Sequence, residues 1–161
     1  MIKFFLNLVT TFRQFFLKTS YGYNSPALGA MDHTEESRQG IELVKEDKNK
    51  EALKFFLKLA DTGNSSGYVN AGIINELIFE NDKEAIRLYK ISAEMKNSVG
   101  MYNYGTLLYF LEKDTIQAYS LFLCSAKLGY KLANENVSNM KSTNIISKDE
   151  ITRAELLAED C

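Results

Sequence analysis

Along residues 48–140 the apolar and small positions recur in a helical rhythm, and the rhythm itself repeats. Ala52, Phe55, Phe56, Leu59 and Ala60 fall at i, i+3, i+4, i+7 and i+8. The same spacing holds Ala85, Leu88, Tyr89, Ser92 and Ala93, then Ala118, Leu121, Phe122, Ser125 and Ala126. Each set is one face of an α-helix. Each lies 33 residues after the one before. Large residues in the middle of the face, with small ones at its ends, suit close interdigitation of neighbouring helices.

Polar punctuation keeps the same interval. Asn81, Asp114 and Ser147 are equivalent positions and good N-caps, and three residues later come Glu84, Gln117 and Glu150. That is the pattern of a capping box. The earlier pair, Lys48 and Glu51, lacks the cap, so Asp47 is expected to serve. Each of these helices, termed B, is followed after a turn near Gly63, Lys96 or Gly129 by a second helix, A. Gly67, Gly100 and Ala133 stand in register on helix A, as do Gly72, Gly105 and Ser138. The pattern predicts helices over 3–19, 34–46, 48–62, 66–79, 82–96, 98–111, 115–128, 131–141 and 148–159. No alternating strand pattern occurs.

A fixed period in the thirties is the signature of stacked helix pairs, each burying its apolar face against its neighbours. The expected fold is all-α: a right-handed solenoid of about three helix-turn-helix repeats with atypical terminal helices. The chain divides on composition into residues 1–31, a basic, Phe-rich amphipathic helix plus loop, and residues 32–161, the repeat domain. The first part carries Lys3, Arg13 and Lys18 and no acid before Asp32. Its apolar run is broken at Arg13 and Gln14, short of the roughly 20 residues that cross a bilayer. Three readings of it stand. Phe15-Phe16-Leu17-Lys18 repeats Phe55-Phe56-Leu57-Lys58, as the B helix of a degenerate upstream unit would. Residues 1–20 also suit a helix lying on a membrane surface or a partner. The third reading is a targeting segment cleaved near Ala27-Leu28-Gly29.

The stretch Gly100-Met101-Tyr102-Asn103-Tyr104-Gly105-Thr106-Leu107-Leu108-Tyr109 resembles helix A of the Sel-one-like repeat, a relative of the tetratricopeptide repeat. Asp82-Lys83-Glu84-Ala85-Ile86-Arg87-Leu88-Tyr89 is similar to the start of that family's helix B, and Leu128-Gly129-Tyr130 to its helix end. The resemblance covers residues 48–140. The family's glycine-rich loop between A and B is missing, since Glu80-Asn81-Asp82 and Glu112-Lys113-Asp114 make tight turns. The resemblance implies a protein-interaction scaffold. Some bacterial relatives are adaptors in signalling or host contact, or immunity partners of secreted toxins.

Composition narrows the partners. A net charge of −2 carries no basic stripe, so no nucleic-acid partner is expected. Cys124 lies within a predicted helix and Cys161 is the last residue. A bridge would need two loose ends to meet, so free thiols are expected, which leans towards a cytoplasmic location. Membrane-proximal and exported locations stay open.

Chemistry-bearing motifs are few. Gly63-Asn64-Ser65-Ser66-Gly67 matches the G-x-S-x-G of serine hydrolases, but a nucleophile elbow needs a strand before the serine. Here a helix precedes it, and Ser65 or Ser66 is expected to cap helix A instead. His33 stands alone in a linker. No catalytic residue, cofactor or metal site is expected. The remaining candidate is a ladder of amides at Asn70, Asn103 and Asn136, with Tyr102 beside it. Asparagine is a mediocre helix former, so three in register ask for a reason. Either the amides bond a bound peptide backbone on a groove formed by the A helices, or they bond between repeats. The expected function is a non-enzymatic adaptor for another protein or peptide. The alternatives are a toxin-neutralising immunity protein and a scaffold tethered to a membrane through residues 1–20.

Overall fold

A computed structural model describes residues 31–161; the helix expected over 3–19 and the three readings of the first segment lie outside the described residues. Within them the chain is helical, with no strand. The helices are α1 Arg38–Lys45, α2 Asn49–Asp61, α3 Ser65–Leu77, α4 Asp82–Glu94, α5 Ser98–Leu107, α6 Thr115–Lys127, α7 Lys131–Ser142 and α8 Lys148–Leu157. Contacts divide the chain into two compact units, Met1–Leu88 and Tyr89–Cys161, with the division inside α4.

The faces predicted for the B helices are the buried ones. Ala52, Phe56 and Ala60 are buried on α2, Ala85, Leu88, Tyr89, Ser92 and Ala93 on α4, and Ala118, Phe122 and Ser125 on α6. Small residues set how closely the helices approach. A Cβ added at Gly67 of α3 would stand 2.5 Å from the Ala60 backbone nitrogen and 2.8 Å from the Phe56 carbonyl oxygen of α2. At Gly105 of α5 it would meet the Ala118 carbonyl of α6 at 3.1 Å. Gly40 lets α1 lie on the rings of Phe55 and Phe56. At these places backbone packs on backbone or ring, and the large residues beside them fill the remaining space.

Residues in the left-handed region end the helices. Gly63 (φ 83°), Lys96 (φ 59°) and Gly129 (φ 91°) close α2, α4 and α6, while Asp47, Glu80 and Lys113 precede α2, α4 and α6. After α4 the Lys96 N–H reaches the Ala93 carbonyl at 2.9 Å and the Asn97 N–H reaches Ser92 at 3.1 Å. After α6 Gly129 and Tyr130 repeat both bonds, to Ala126 and Ser125. These are Schellman ends, which satisfy carbonyls the helix cannot. The A helix expected over 98–111 changes before its end: residues Leu108–Glu112 form a π-helical turn. Beyond it the Asp114 N–H reaches back to the Leu108 carbonyl at 3.2 Å, as the Asn81 N–H does to Asn75 at 2.8 Å after α3.

Several caps differ from expectation. The box is complete only at Ser147 and Glu150. Asn81 and Asp114 accept the N–H groups of Glu84 and Gln117, but Glu84 turns its carboxylate to Arg87, at 2.9 and 2.7 Å. Asp47 does not cap α2. It sits left-handed and accepts the Asn49 amide at 2.7 Å, leaving Lys48 as an N-cap without a side-chain bond. At α3 the cap is Asn64, not Ser65 or Ser66, because its side-chain oxygen takes the N–H groups of Ser66 and Gly67.

The cysteines also correct the expectation of free thiols. Cys124 and Cys161 form a disulfide, with Cα atoms 5.5 Å apart. Neither end is loose: α8 folds back onto α6 and brings the following residues to Cys124.

Two predictions follow from the backbone and the caps. Gly67→Ala should lower the unfolding free energy by about 2–3 kcal/mol, because backbone cannot move aside as a side chain does. Glu80→Gly should raise it by about 1 kcal/mol by relieving a left-handed residue that carries a Cβ; urea titrations of both variants measure the pair. For pH, the Ser147 hydroxyl and then its backbone N–H hold the Glu150 carboxyl below the usual carboxylate range, and Arg87 does the same for Glu84. A carboxyl whose pKa is depressed by folding stabilises above its unfolded value, and that contribution is lost as pH falls through the folded value. Stability should therefore fall as pH drops from about 5 towards 3, with a shallower decline in Ser147→Ala; denaturant melts across that range compare the two chains.

Candidate functional site

Ser66 and Asn70 stand one turn apart on α3, so their side chains share a face. That face grips the chain just ahead of α1. The Asn70 Oδ1 accepts the Asp32 backbone N–H at 2.7 Å, and its Nδ2 donates to the Asp32 carbonyl at 3.0 Å. The same Nδ2 donates to the Ser37 Oγ at 3.0 Å. Ser66 Oγ donates to the Asp32 carboxylate at 2.8 Å, and Ser37 Oγ lies 2.9 Å from Thr34 Oγ1. Met31 is buried beside them. The Asn70 side chain is completely buried, and both amide hydrogens are used.

The amide thus does bond a peptide backbone, but its own. Of the remaining sequence candidates, Asn103 on α5 is also buried. Asn136 on α7 is half-buried. Tyr102 on α5 is half-buried too, its ring packed on Phe122 (centroids 5.6 Å apart) and Tyr130 (5.0 Å). Asn136 and Tyr102 therefore keep some contact with solvent, and Asn70 and Asn103 do not.

On α7 the helical period sorts the residues. Ala133 and Met140 face the core, and Asn134, Glu135, Ser138 and Asn139 turn outward. These four line an open hollow of about 410 Å³. Asn136 stands at the border between the two faces. A second hollow, of about 290 Å³, runs along α1 past His33, Arg38, Ile41 and Lys45. Within unit Tyr89–Cys161, burial pushes the Tyr104 phenol up, with Glu112, Glu94 and Asp114 adding to it, so the ring stays neutral.

The G-x-S-x-G segment is a helix-to-helix turn. Gly63 closes α2, Asn64 caps α3, Ser65 is the first residue of α3, and Ser66 is spent on Asp32. Among the described residues no three His, Cys, Asp or Glu side chains gather as metal ligands, and no helix is long and apolar enough to cross a membrane.

Sequence reasoning missed Asp32 and Ser37 as partners of Asn70, and Ser66 as a partner of Asp32. One signal was present: Ser37 lies 33 residues before Asn70, so carrying the register upstream leads to it. No family model matches the chain, and no curated protein and no solved structure does either.

Replacing Asn70 by Ala removes one partner each from the Asp32 N–H, the Asp32 carbonyl and the Ser37 hydroxyl. Asn70→Ala should cost about 2–4 kcal/mol, whereas Asn136→Ala at its half-open position should stay within about 0.5 kcal/mol. Chemical denaturation followed by circular dichroism reads both.

Proposed function

We propose that this chain is a short right-handed array of helix pairs akin to Sel-one-like and tetratricopeptide repeats, serving as a non-enzymatic scaffold that binds another protein. The observation that carries the reading is an interval in the backbone. Asp47, Glu80 and Lys113 are left-handed and 33 residues apart, and so are Gly63, Lys96 and Gly129. Lys96 holds the conformation without being glycine, so the interval is one of chain path and not only of residue type. The caps at Asn81, Asp114 and Ser147, and at Asn64 and Asn97, keep the same spacing. The Asn70–Ser37 bond joins positions 33 apart, one on α3 and one at the N-cap of α1, which favours the inter-repeat role for this amide.

Such arrays act through surface, because each unit exists to cover its neighbour. With Asn70 engaged inside, the contacts open to a partner are Asn136 and Tyr102 and the polar outer face of α7, where amide and hydroxyl groups suit a polar protein surface or an extended chain. Recovery of bound protein with wild-type chain and with an Asn136→Arg, Ser138→Arg variant, each identified by mass spectrometry and confirmed by calorimetry with purified components, tests this. A stoichiometric protein partner lost in the variant, with unchanged circular dichroism, is the expected result. Absence of any stoichiometric partner, or equal binding by both chains, overturns the reading.

A further inference from the structure

Helix α8 is fastened differently from the helices it follows. Its fully buried residues are small, Ala154 and Ala158, with Ile151 half-buried on the same face and Ile146 buried ahead of them. Its outward side leaves Leu156 and Leu157 60% and 62% exposed, so these two large groups add little to its hold. Its polar ties are part-buried at Lys127 and exposed elsewhere. Lys127 Nζ donates to the Ala158 carbonyl at 2.6 Å, Lys96 Nζ donates to the Asp160 carbonyl at 3.0 Å, and Lys141 pairs with Glu155 at 3.6 Å. Exposed ties of this kind are weak and screened by salt.

The one strong attachment is covalent. Cys124 sits in the buried face of α6, and Cys161 follows α8 by a few residues, closing a loop across a separation of 37 residues. A cross-link of that length restricts the unfolded chain strongly, and here it fixes the end of a helix whose fully buried residues are alanines.

We propose that the Cys124–Cys161 disulfide is a redox latch: oxidised, it holds α8 on α6; reduced, it lets α8 leave and uncovers the α6 surface around Cys124. The reductant is a dithiol. Its thiolate attacks one sulfur of the protein disulfide, and its second thiol resolves the mixed disulfide. The protein S–S bond breaks and an S–S bond forms in the reductant. Two electrons and two protons pass to Cys124 and Cys161, which end as thiols. Cys124 is then the exposed group on the uncovered strip, and the α6 residues flanking it become available to a partner. The latch does not depend on the repeat reading, since every contact in it lies within unit Tyr89–Cys161.

Amide hydrogen exchange on the full chain tests it, with protein prepared without reductant and compared before and after dithiothreitol. Peptides spanning residues 148–157 should lose protection about tenfold or more on reduction, while those of α5 and α6 keep theirs apart from the strip around Cys124. Cys161→Ser should show the reduced pattern without reductant. Unchanged protection of α8 on reduction overturns the latch. So does simultaneous loss across α5 and α6 in both the reduced and the Cys161→Ser chains, because α8 would then not be held separately. Two alkylatable thiols persisting after incubation with oxidised glutathione would also overturn it.

Discussion

The close approach of helix backbones is the constraint on which the described structure rests. At Gly67 a single added carbon would fall 2.5 Å from a nitrogen of the facing helix, so α2 and α3 touch through their main chains. At Gly105 the facing carbonyl of α6 limits α5 in the same way. Such contacts fix the pattern of the rest. A small residue at the point of contact leaves room on either side that only large residues fill, which is why Phe56 and Phe122 lie where they do. Closely packed antiparallel helices also need a fast reversal between them. The chain supplies it with left-handed residues and Schellman bonds, even where the residue is Lys96 and the conformation costs about 1 kcal/mol or more.

The same closeness decides what becomes of polar residues on the buried faces. An amide inside a dry seam has to find partners there, because leaving it unpaired would cost more than the helix gains. Asn70 finds three groups on residues 32 and 37, and in doing so orients the chain entering α1. Its geometry is what a peptide-binding amide would use: one acceptor and one donor directed at a single residue's backbone. A grip with the geometry of a ligand contact is thus spent on folding, while Asn136 at the border and the outward face of α7 stay open to solvent.

Much of this was legible in the residues, for a definite reason. Spacing at i, i+3, i+4, i+7 and i+8 reports which face is buried, and burial is what held helices α2, α4 and α6 to their predicted faces and nearly to their predicted ends. Glycine at Gly63 and Gly129 marked reversals that follow from local conformational freedom. What escaped depends on neighbours distant in the chain. Asn70 could not be assigned because its partners sit in a stretch where apolar periodicity is faint. The choice of Asn64 over Ser65 as cap turns on where the preceding reversal sets the first helical residue. Glu84 fits a capping box in sequence, but Arg87, one turn on, takes its carboxylate. The pairing of Cys124 with Cys161 required knowing that α8 doubles back, which no local pattern states.

Asn70 and the cystine answer one physical problem in two ways. A helix buried along most of its length, such as α3 with residues 69–77 all buried, is held largely by area. A segment with little apolar area to offer must be tied by directed interactions. Residues 31–37 are tied by hydrogen bonds to α3. Helix α8 is tied by a bond between sulfurs, which a change of redox conditions can cut while the rest of the fold stays as it is. The difference matters because α8 turns alanines and the half-buried Ile151 inward and leaves its two leucines outward. A helix built that way gains least from staying docked, so its attachment is the place where the chain's exposed surface can change without unfolding its core.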